Sequence, residues 1–399
     1  MPGMRPPKQP VPNDEQFIAV WSMKHIPAPL PEESPGPARH YRALLDASIA
    51  DALAQALRII ASDPALVVTG AKILAWQKKA AALRQQQEKE GLLVPPALFV
   101  SVTSQCNLAC RGCYQRGTRA DPARELDPGR LSSLVREASE LGVSIIVLAG
   151  GEPLIRRAEI AGLARSYPKI LFPVFSNGLL IDDAAAAELG KTKNIIPMIS
   201  FEGFRVETDT RQGDGVYDRL LCVCARLKQN GIFFGCSVTV TRANAGLVTS
   251  DTFVREMLAF GARVFVFVEY VPIEPGTEAL VLDNGRRTAL YAGIDALNKN
   301  HPALFIGFPG DEAAYGGCLA AGRGFVHVSA SGDLEACPAA PFSDTNLARV
   351  SLKEALRSPL LSRIRSHHHL LTETNGGCAL WTNRAWVEGL VDEGEKGGK

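Results

Sequence analysis

The feature of this sequence that most limits its fold is a regular alternation of β-rich runs and helical stretches between residues 97 and 271. Six strands joined by five helices predict βαβ units and a parallel sheet. Because six units are fewer than the eight of a closed (β/α) barrel, we expect an α/β fold built on an open, partial (β/α)6 TIM-type barrel. Its active face should lie at the C-terminal ends of the strands. The predicted strands are Leu98–Thr103, Ser144–Leu148, Ile170–Phe175, Ile195–Ser200, Phe233–Thr241 and Arg263–Val271.

The segments on either side of this alternation differ from it in composition. Ten of the 26 prolines lie before position 38, which predicts an extended arm. Apolar residues then recur at helical spacing and predict a pair of helices. After the barrel, Gly and Pro become frequent, with one predicted hairpin turned at Ser331–Asp333 and one later helix over Leu352–Ile364. The predicted domains are the Pro-rich arm 1–40, the N-terminal helical appendage 41–95, the partial barrel 96–300 and the C-terminal extension 301–399.

Charge and hydropathy exclude several classes of function. The 43 Lys and Arg against 42 Asp and Glu give a net charge of +1, which argues against nucleic-acid binding by a bulk basic surface. No run reaches the roughly 18 apolar residues that a membrane-spanning helix needs. Met1–Pro12 has no apolar core and therefore does not resemble a secretory signal. We expect a cytoplasmic protein with reduced thiols, where clustered cysteines point to metal.

Three cysteines follow the first predicted strand with the spacing C-x3-C-x2-C, at Cys106, Cys110 and Cys113. Three thiolates on one loop can converge on an iron–sulfur cluster, and a 4Fe–4S cube held by three cysteines keeps one iron open for a ligand. A structural zinc site is the alternative. Zinc usually takes four ligands, and no further Cys or His follows within twenty residues. The spacing therefore favours a cluster.

With the predicted barrel, this motif resembles the radical S-adenosylmethionine (SAM) superfamily over about residues 95–275. Gly150-Gly151-Glu152-Pro153, at the end of the second strand, matches the family's GGEP motif, whose backbone meets the methionyl amino group of SAM. The resemblance implies a further SAM-binding residue at the end of the third strand, Ser176. It also implies that Ser200 and Glu202 contact the ribose and the amino-acid part of SAM. Arg211 lies where similar enzymes supply an arginine to the SAM carboxylate. A solvated loop arginine is the equal alternative.

One position departs from the family pattern. Many relatives carry an aromatic residue directly before the third cysteine, against the adenine of SAM. Here Gly112 occupies that position and Tyr114 follows the cysteine. The side chain that meets the adenine is therefore open at this point. Val271-Pro272-Ile273, at the end of the sixth strand, weakly resembles the apolar strip beneath it.

A second set of cysteines lies beyond the barrel. Cys318-x13-Gly332-x4-Cys337 resembles the opening of the SPASM and twitch extensions of this superfamily, and Gly332 would turn the hairpin that returns Cys337 toward Cys318. Cys378 would complete the set. Because the chain lacks the C-x2-C-x5-C-x3-C run of a full SPASM domain, the resemblance implies a twitch-like extension with one auxiliary 4Fe–4S cluster. Buried structural cysteines are the alternative.

Other residues with metal-binding or acid–base chemistry receive simpler interpretations. His367–His369 should form a solvated helix end, with a fourth ligand to the auxiliary cluster and a substrate contact as alternatives. Asp311, Glu312 and Tyr315 should belong to a polar loop, although one of them could accept a proton. Three further cysteines are predicted to pack in the core rather than bind metal: Cys222, Cys224 and Cys236.

The resemblance implies a function in radical chemistry. The enzyme would cleave SAM reductively at the first cluster to a 5′-deoxyadenosyl radical, which abstracts hydrogen from a peptide, protein or small-molecule substrate. An electron donor such as flavodoxin or ferredoxin would be its partner. Residues 1–95 show no β ribbon of the kind that holds leader peptides in many relatives, which weighs slightly against a leader-guided peptide substrate. A non-catalytic iron–sulfur carrier is the alternative, but a carrier needs no SAM pocket.

Overall fold

A single mixed sheet runs through most of the protein. The computed structural model describes residues 37–61, 64–117, 121–309, 315–371 and 378–397. The predicted arm, up to residue 36, therefore lies outside the described residues. The strands are β1 (Ala97–Thr103), β2 (Ile145–Gly150), β3 (Phe172–Ser176), β4 (Ile195–Phe201), β5 (Gly235–Val240), β6 (Val264–Glu269), β7 (Leu304–Phe308), β8 (Phe325–Val328) and β9 (Leu334–Glu335).

The order of the strands across the sheet is β7-β6-β5-β4-β3-β2-β1-β8-β9. Every pair from β7 to β8 is parallel, and β9 returns antiparallel to β8 as the predicted hairpin. All six predicted strands are present as β1–β6, and the predicted α/β class with a partial TIM-type barrel is confirmed. The C-terminal ends of the parallel strands therefore meet on one face, where the first cysteine loop and the GGEP turn lie.

Helices pack on the outside of this sheet. The helix predicted over Leu352–Ile364 is interrupted because Ser358 caps a new helix that begins at Pro359. The helices are α1 (Pro37–Ile59), α2 (Pro64–Lys89), α3 (Tyr114–Gly117), α4 (Pro128–Leu141), α5 (Arg157–Ser166), α6 (Asp183–Gly190), α7 (Arg205–Gln212), α8 (Val216–Gln229), α9 (Ala245–Val248), α10 (Asp251–Phe260), α11 (Asn284–Asn300), α12 (Leu352–Ala355), α13 (Pro359–Ser366), α14 (Ala379–Thr382) and α15 (Arg384–Gly397).

The predicted N-terminal helical appendage is the pair α1 and α2, which one arginine fastens to the barrel. Arg84, on α2, is 6% exposed; it forms an ion pair with Asp46 on α1 and donates a hydrogen bond of 2.5 Å to the carbonyl oxygen of Gly142 after α4. Such a buried charge is tolerated because it is paired and hydrogen-bonded. Within the described residues, no helix is both long and apolar enough to cross a membrane.

The seventh strand, β7, was not predicted. It contains Gly307, ends at Phe308 and is followed by Pro309, so the Gly- and Pro-rich composition concealed a strand in a segment that we expected to be irregular. The ring of Phe308 lies 5.8 Å from that of Phe99 on β1 and 5.5 Å from that of Phe325 on β8. The sheet is therefore curved enough to bring β7 against strands six and seven places away. Strand β7 lies just beyond the predicted boundary at residue 300. The predicted domain boundaries are not tested by the structure and stay a prediction.

Replacing Phe305 with Ala tests whether β7 is a true sheet member. Phe305 is 3% exposed, stacks on Phe265 with ring centroids 4.8 Å apart, and has its backbone N–H and carbonyl bonded by the side chain of Asn298. Its loss should lower the free energy of unfolding by about 3–5 kcal/mol. Ile306→Ala, on the same strand but 39% exposed, should cost much less. Equal, small shifts of the thermal unfolding midpoint in both variants would contradict the seventh strand.

Candidate active site

The first cysteine loop follows β1 directly, and Cys106, Cys110 and Cys113 are each partly exposed on it. Burial raises the pKa of the Cys110 thiol to about 11; the charge of Arg211 opposes this, whereas Cys113 and Cys106 add to it. The three thiols are therefore close enough to act on one another. Two groups approach the sulfur of Cys106: the N–H of Leu108 at 3.4 Å and the side-chain nitrogen of Asn177 at 3.9 Å.

Two glycines press the end of β2 against this loop. The N–H of Gly151 donates to the carbonyl of Thr103 at 2.7 Å, and the N–H of Glu152 donates to the carbonyl of Gln105 at 2.8 Å. A Cβ atom on Gly150 would overlap the Thr103 carbonyl oxygen, and one on Gly151 would overlap that of Gln105. Gly150 also has a φ of +122°. Glycine is therefore required at both positions for contact with the cysteine loop.

Glu152 is 0% exposed, and its carboxylate is held entirely by the protein's own donors. Its Oε1 accepts from the N–H of Leu154 at 2.9 Å and from the hydroxyl of Ser176 at 2.8 Å, and its Oε2 accepts from the N–H of Asn177 at 2.8 Å. Burial raises the pKa of Glu152, and these hydrogen bonds oppose the rise. Pro153 fits the first position of the turn that Glu152 caps, because proline has no N–H to satisfy. Glu152 and Ser176 thus join the ends of β2 and β3.

The structure brings Glu202 and Arg211 together as an ion pair beside the cysteine loop. Glu202 is 2% exposed and also accepts from the side chain of Gln212 at 3.3 Å and from the N–H of Thr239 at 3.2 Å. Burial raises the pKa of Glu202, and the charge of Arg211 opposes this. Arg211 lies on the unpredicted helix α7 and exchanges backbone and side-chain hydrogen bonds with Arg111. The solvated-loop alternative for Arg211 is therefore wrong.

The remaining predicted contact from β4, Ser200, faces the next strand. Its hydroxyl lies 3.2 Å from that of Ser237 on β5, and its carbonyl accepts from the side chain of Gln212 at 3.0 Å. The hydroxyl groups of Ser200 and Ser237 therefore form a polar pair between β4 and β5, and Ser200 lies two residues before Glu202.

Tyr270 supplies the aromatic ring that is missing before the third cysteine. A Cβ atom on Gly112 would stand 2.5 Å from the hydroxyl oxygen of Tyr270, so the ring fills the space beside that glycine. Tyr270 follows β6 and is 4% exposed, and its hydroxyl has no hydrogen-bond partner among the described residues. The sequence analysis missed it because, at the end of the sixth strand, it considered Val271-Pro272-Ile273 and not the tyrosine directly before them. An aromatic residue at the end of β6 was the available signal.

Tyr114 points elsewhere, into a cavity of about 320 Å³ between the cysteine loop and the β8–β9 hairpin. A buried hydrogen-bonded chain lines this cavity: the hydroxyl of Ser101 lies 2.8 Å from Nε2 of His327, whose Nδ1 lies 2.6 Å from the carboxylate of Glu335. Phe99 pairs in register with His327, and Ser101 follows two residues later. The chain therefore faces the same side of the sheet as Phe99 and Phe308, the inside of the curve. Sequence analysis did not identify it.

The second cysteine set comes from three segments, of which the first two touch: the N–H of Ala321 donates to the carbonyl of Ala336 at 3.1 Å. Cys318 lies before β8, Cys337 follows β9, and Cys378 caps α14; they are 6%, 7% and 8% exposed. Backbone N–H groups approach two of the sulfurs, from Ala339 to Cys337 at 3.5 Å and from Trp381 to Cys378 at 3.4 Å. No disulfide links any of the nine cysteines. This environment fits either interpretation given above.

The other predicted residues have mixed outcomes. Cys224 and Cys236 are each 1% exposed, as predicted, but the core prediction is wrong for Cys222, which lies on the outer side of α8 and is exposed. His367 and His368 each place Nδ1 2.9 Å from a carbonyl oxygen of α13, consistent with a polar helix end. The hydroxyl of Tyr315 donates to Ser48 on α1 at 3.0 Å. Asp311 and Glu312 lie outside the described residues.

The donor sets suit clusters better than single ions. Across the described part of the chain, no three His, Cys, Asp or Glu side chains converge closely enough to hold one metal ion. Structural zinc requires such convergence. In a cube, each cysteine binds a different iron, so the sulfurs lie further apart. The thiols of the first loop are partly exposed, so each could bind a different iron of one cluster placed beside the loop.

Comparison with known proteins gives the family context of this site. Residues 100–253 match the model of the radical SAM superfamily. The chain is 28% identical over 270 residues to the mycofactocin maturase MftC of Mycolicibacterium smegmatis, covering 63% of this chain and 67% of that protein. It is 30% identical over 148 residues to a probable GTP 3',8-cyclase of Methanosarcina mazei, covering 34% of this chain and only 44% of the cyclase.

Solved structures show the same fold. SuiB of Streptococcus suis, bound to its precursor peptide SuiA, is 20% identical with a TM-score of 0.58, over 73% of this chain and 71% of that one. The enzyme anSMEcpe with bound AdoMet is 16% identical with a TM-score of 0.55, over 74% of this chain and 96% of that one. Both matches extend well beyond residues 100–253.

Replacing Glu152 with Gln should destabilise the protein. The amide nitrogen would face N–H or O–H donors and could accept from none of them, at a cost of about 1–3 kcal/mol. Glu159→Gln is the matched control, because its carboxylate is 31% exposed and pairs only with Arg156. Thermal unfolding of both variants measures the difference. An unfolding midpoint for Glu152→Gln as high as that of the control would show that the buried hydrogen bonds do not support the fold.

Proposed function

We propose that this protein is a radical SAM enzyme, because residues 100–253 match the model of that superfamily, and that it cleaves SAM at a 4Fe–4S cluster held by Cys106, Cys110 and Cys113. The product radical would abstract hydrogen from a substrate. The observation that carries the proposal is the packing of the GGEP turn on the cysteine loop, where Gly150 and Gly151 leave no room for a side chain. A non-catalytic iron–sulfur carrier would have no use for this arrangement.

The residues of the cysteine loop would hold the cluster. When bound, the cluster supplies the electron that breaks a carbon–sulfur bond of SAM, giving methionine and a 5′-deoxyadenosyl radical. Binding must deprotonate the thiols. Burial raises the pKa of Cys110 and so disfavours its thiolate, whereas the charge of Arg211 favours it; a bound cluster would favour the thiolate further. The N–H groups near Cys106 stabilise the thiolate further and influence the cluster's potential.

The groups around this loop would position SAM. The backbone of Gly150 and Gly151 offers carbonyl oxygens to the amino group, with Glu152 and Ser176 holding that backbone from behind. Ser200 and Glu202 would meet the ribose and amino-acid part. A SAM carboxylate would share Arg211 with Glu202, as an arginine has five N–H donors. We assign the adenine contact to Tyr270, because its ring takes the place beside Gly112.

The substrate would enter at the C-terminal face of the barrel. The cavity lined by Ser101 and His327 lies there, beside the cysteine loop, and offers hydrogen-bonding groups on its wall. Peptides are one substrate class, favoured by the likeness to a mycofactocin maturase and to SuiB; small molecules are the other, favoured by the cyclase. An electron donor such as flavodoxin or ferredoxin would reduce the cluster, and we expect the enzyme to work in the reducing cytoplasm.

We also infer an auxiliary 4Fe–4S cluster bound by Cys318, Cys337 and Cys378 in a twitch-like extension. Its support is that the N–H of Ala321, three residues after Cys318, donates to the carbonyl of Ala336, the neighbour of Cys337, at 3.1 Å, beside a hairpin that turns at Gly332 with φ +89°. Three cysteines would leave this cluster with either an open iron or a fourth ligand other than cysteine.

Removing the first cysteine set tests the catalytic proposal. A variant with Cys106, Cys110 and Cys113 all changed to Ala should fold but form no 5′-deoxyadenosine from SAM under dithionite, because a methyl group cannot bind iron. Chromatography of the reaction products measures this. The control is Cys222→Ala, an exposed cysteine away from the loop, which should keep full activity. SAM cleavage by the triple variant would refute the proposed site.

Iron content tests the auxiliary cluster separately. After anaerobic reconstitution the wild type should carry about eight irons per chain, and Cys318→Ala with Cys337→Ala and Cys378→Ala should leave about four. SAM cleavage without substrate should survive in this variant. The matched control changes two equally buried cysteines, Cys224 and Cys236, to Ala and should keep about eight. If the wild type never exceeds about four irons per chain, the auxiliary cluster is refuted, whereas the proposal for the first cluster is unaffected.

A further inference from the structure

A second cavity, of about 540 Å³, lies between the N-terminal helices and the C-terminal segment and is lined mainly by basic side chains. Its walls come from α1, the chain after α2, the turn before β8, and the region from α12 to the histidines after α13. None of the described residues that line it is Asp or Glu. Its charged and aromatic lining residues are Tyr41, Arg42, Arg323, Arg357, Arg365 and His368.

Two of these arginines are fixed by groups that carry no full negative charge. Arg323, 5% exposed, donates to the carbonyl oxygens of Tyr315, Gly317 and Cys318 at 2.7, 2.8 and 2.6 Å, and its guanidinium lies 4.3 Å from the centre of the Tyr41 ring. Arg365 donates to the carbonyl of Ala321 at 2.9 Å and to the hydroxyl of Ser362 at 2.8 Å. Neither side chain forms an ion pair with a described residue.

The electrostatics of the cavity favour an added negative charge. Burial lowers the pKa of Arg365; Tyr41 opposes this, and the nearby charge of Arg42 adds to it. Arg42 is paired with Glu88, and Arg357 lies near the exposed Glu354. The charges of Arg323 and Arg365 therefore remain without a carboxylate partner in the described part of the chain. A buried charge without a partner is costly, and a bound anion would relieve that cost.

We propose that this cavity binds a small molecule through a phosphate or carboxylate group, held between Arg323 and Arg365. Guanidinium groups recognise both oxyanions with paired N–H donors. The volume lies within the range of small-molecule sites, about 300–1,000 Å³. A bare anion would not fill it, so the ligand carries further groups that pack against Tyr41 and Leu93. The site shares no residue with the cysteine loop or with the cavity around His327.

The test uses the full-length, anaerobically reconstituted enzyme and isothermal titration calorimetry at low, fixed salt. Inorganic pyrophosphate and citrate are the probes, which distinguish a phosphate from a carboxylate site. At least one should bind saturably. Arg365→Gln should weaken that binding by roughly tenfold or more, because it removes a charged hydrogen-bond donor. Arg357→Gln keeps the buried contacts intact and should weaken it by a smaller factor.

Arg136→Gln is the matched control, since Arg136 is 55% exposed on α4 and does not line the cavity. It should leave the affinity unchanged. SAM cleavage should also be unchanged in Arg357→Gln, so failure of this proposal is separable from failure of the proposed activity. The proposal is overturned if neither probe saturates, if all three variants bind alike, or if the control loses as much affinity as Arg365→Gln.

Discussion

The contact on which the site depends is that between two stretches of backbone, the end of β2 and the loop that leaves β1. Gly151 and Glu152 donate their N–H groups to carbonyls of that loop at 2.7 and 2.8 Å, one step before Cys106. No side chain other than hydrogen fits at Gly150 or Gly151. The position of the cysteine loop is therefore set by hydrogen bonds to the end of β2 rather than by the short helix α3 that follows the loop.

A second layer of buried polar groups fixes this contact in place. Glu152 bridges the strand ends of β2 and β3, and Glu202 with Arg211 ties the end of β4 to α7 and to the cysteine loop. Each carboxylate is nearly inaccessible to solvent, and each is compensated by at least three hydrogen bonds. Buried charges of this kind are stable only when satisfied, so they make the loop geometry specific. Glu152 thus supports the backbone at the end of β2.

The sequence predicts the parts of this arrangement that local pattern determines. The alternation of β-rich runs with helical stretches located β1–β6, and the spacing of Cys106, Cys110 and Cys113 located the first loop. Sequence prediction failed where tertiary packing determines the structure. Strand β7 lies in a Gly- and Pro-rich segment, and its place in the sheet is evident only from contacts such as the stacking of Phe305 on Phe265. Tyr270 and Gly112 are 158 residues apart in sequence, so no local pattern could show that one fills the space left by the other.

Strand β1, which leads into the first cysteine loop, also pairs with β8, which lies between Cys318 and Cys337 in the sequence. Strand β8 pairs in parallel with β1 from Ala97 to Val100, immediately before the loop that carries Cys106. Cys318 precedes β8 and Cys337 follows its partner β9, while Ser101 reaches across the pairing to His327. A C-terminal extension attached by a flexible linker could change its distance from the barrel. Because β8 and β9 continue the barrel sheet, Cys318 and Cys337, which flank these strands, are tied through β-sheet spacing to the strand that precedes the first loop.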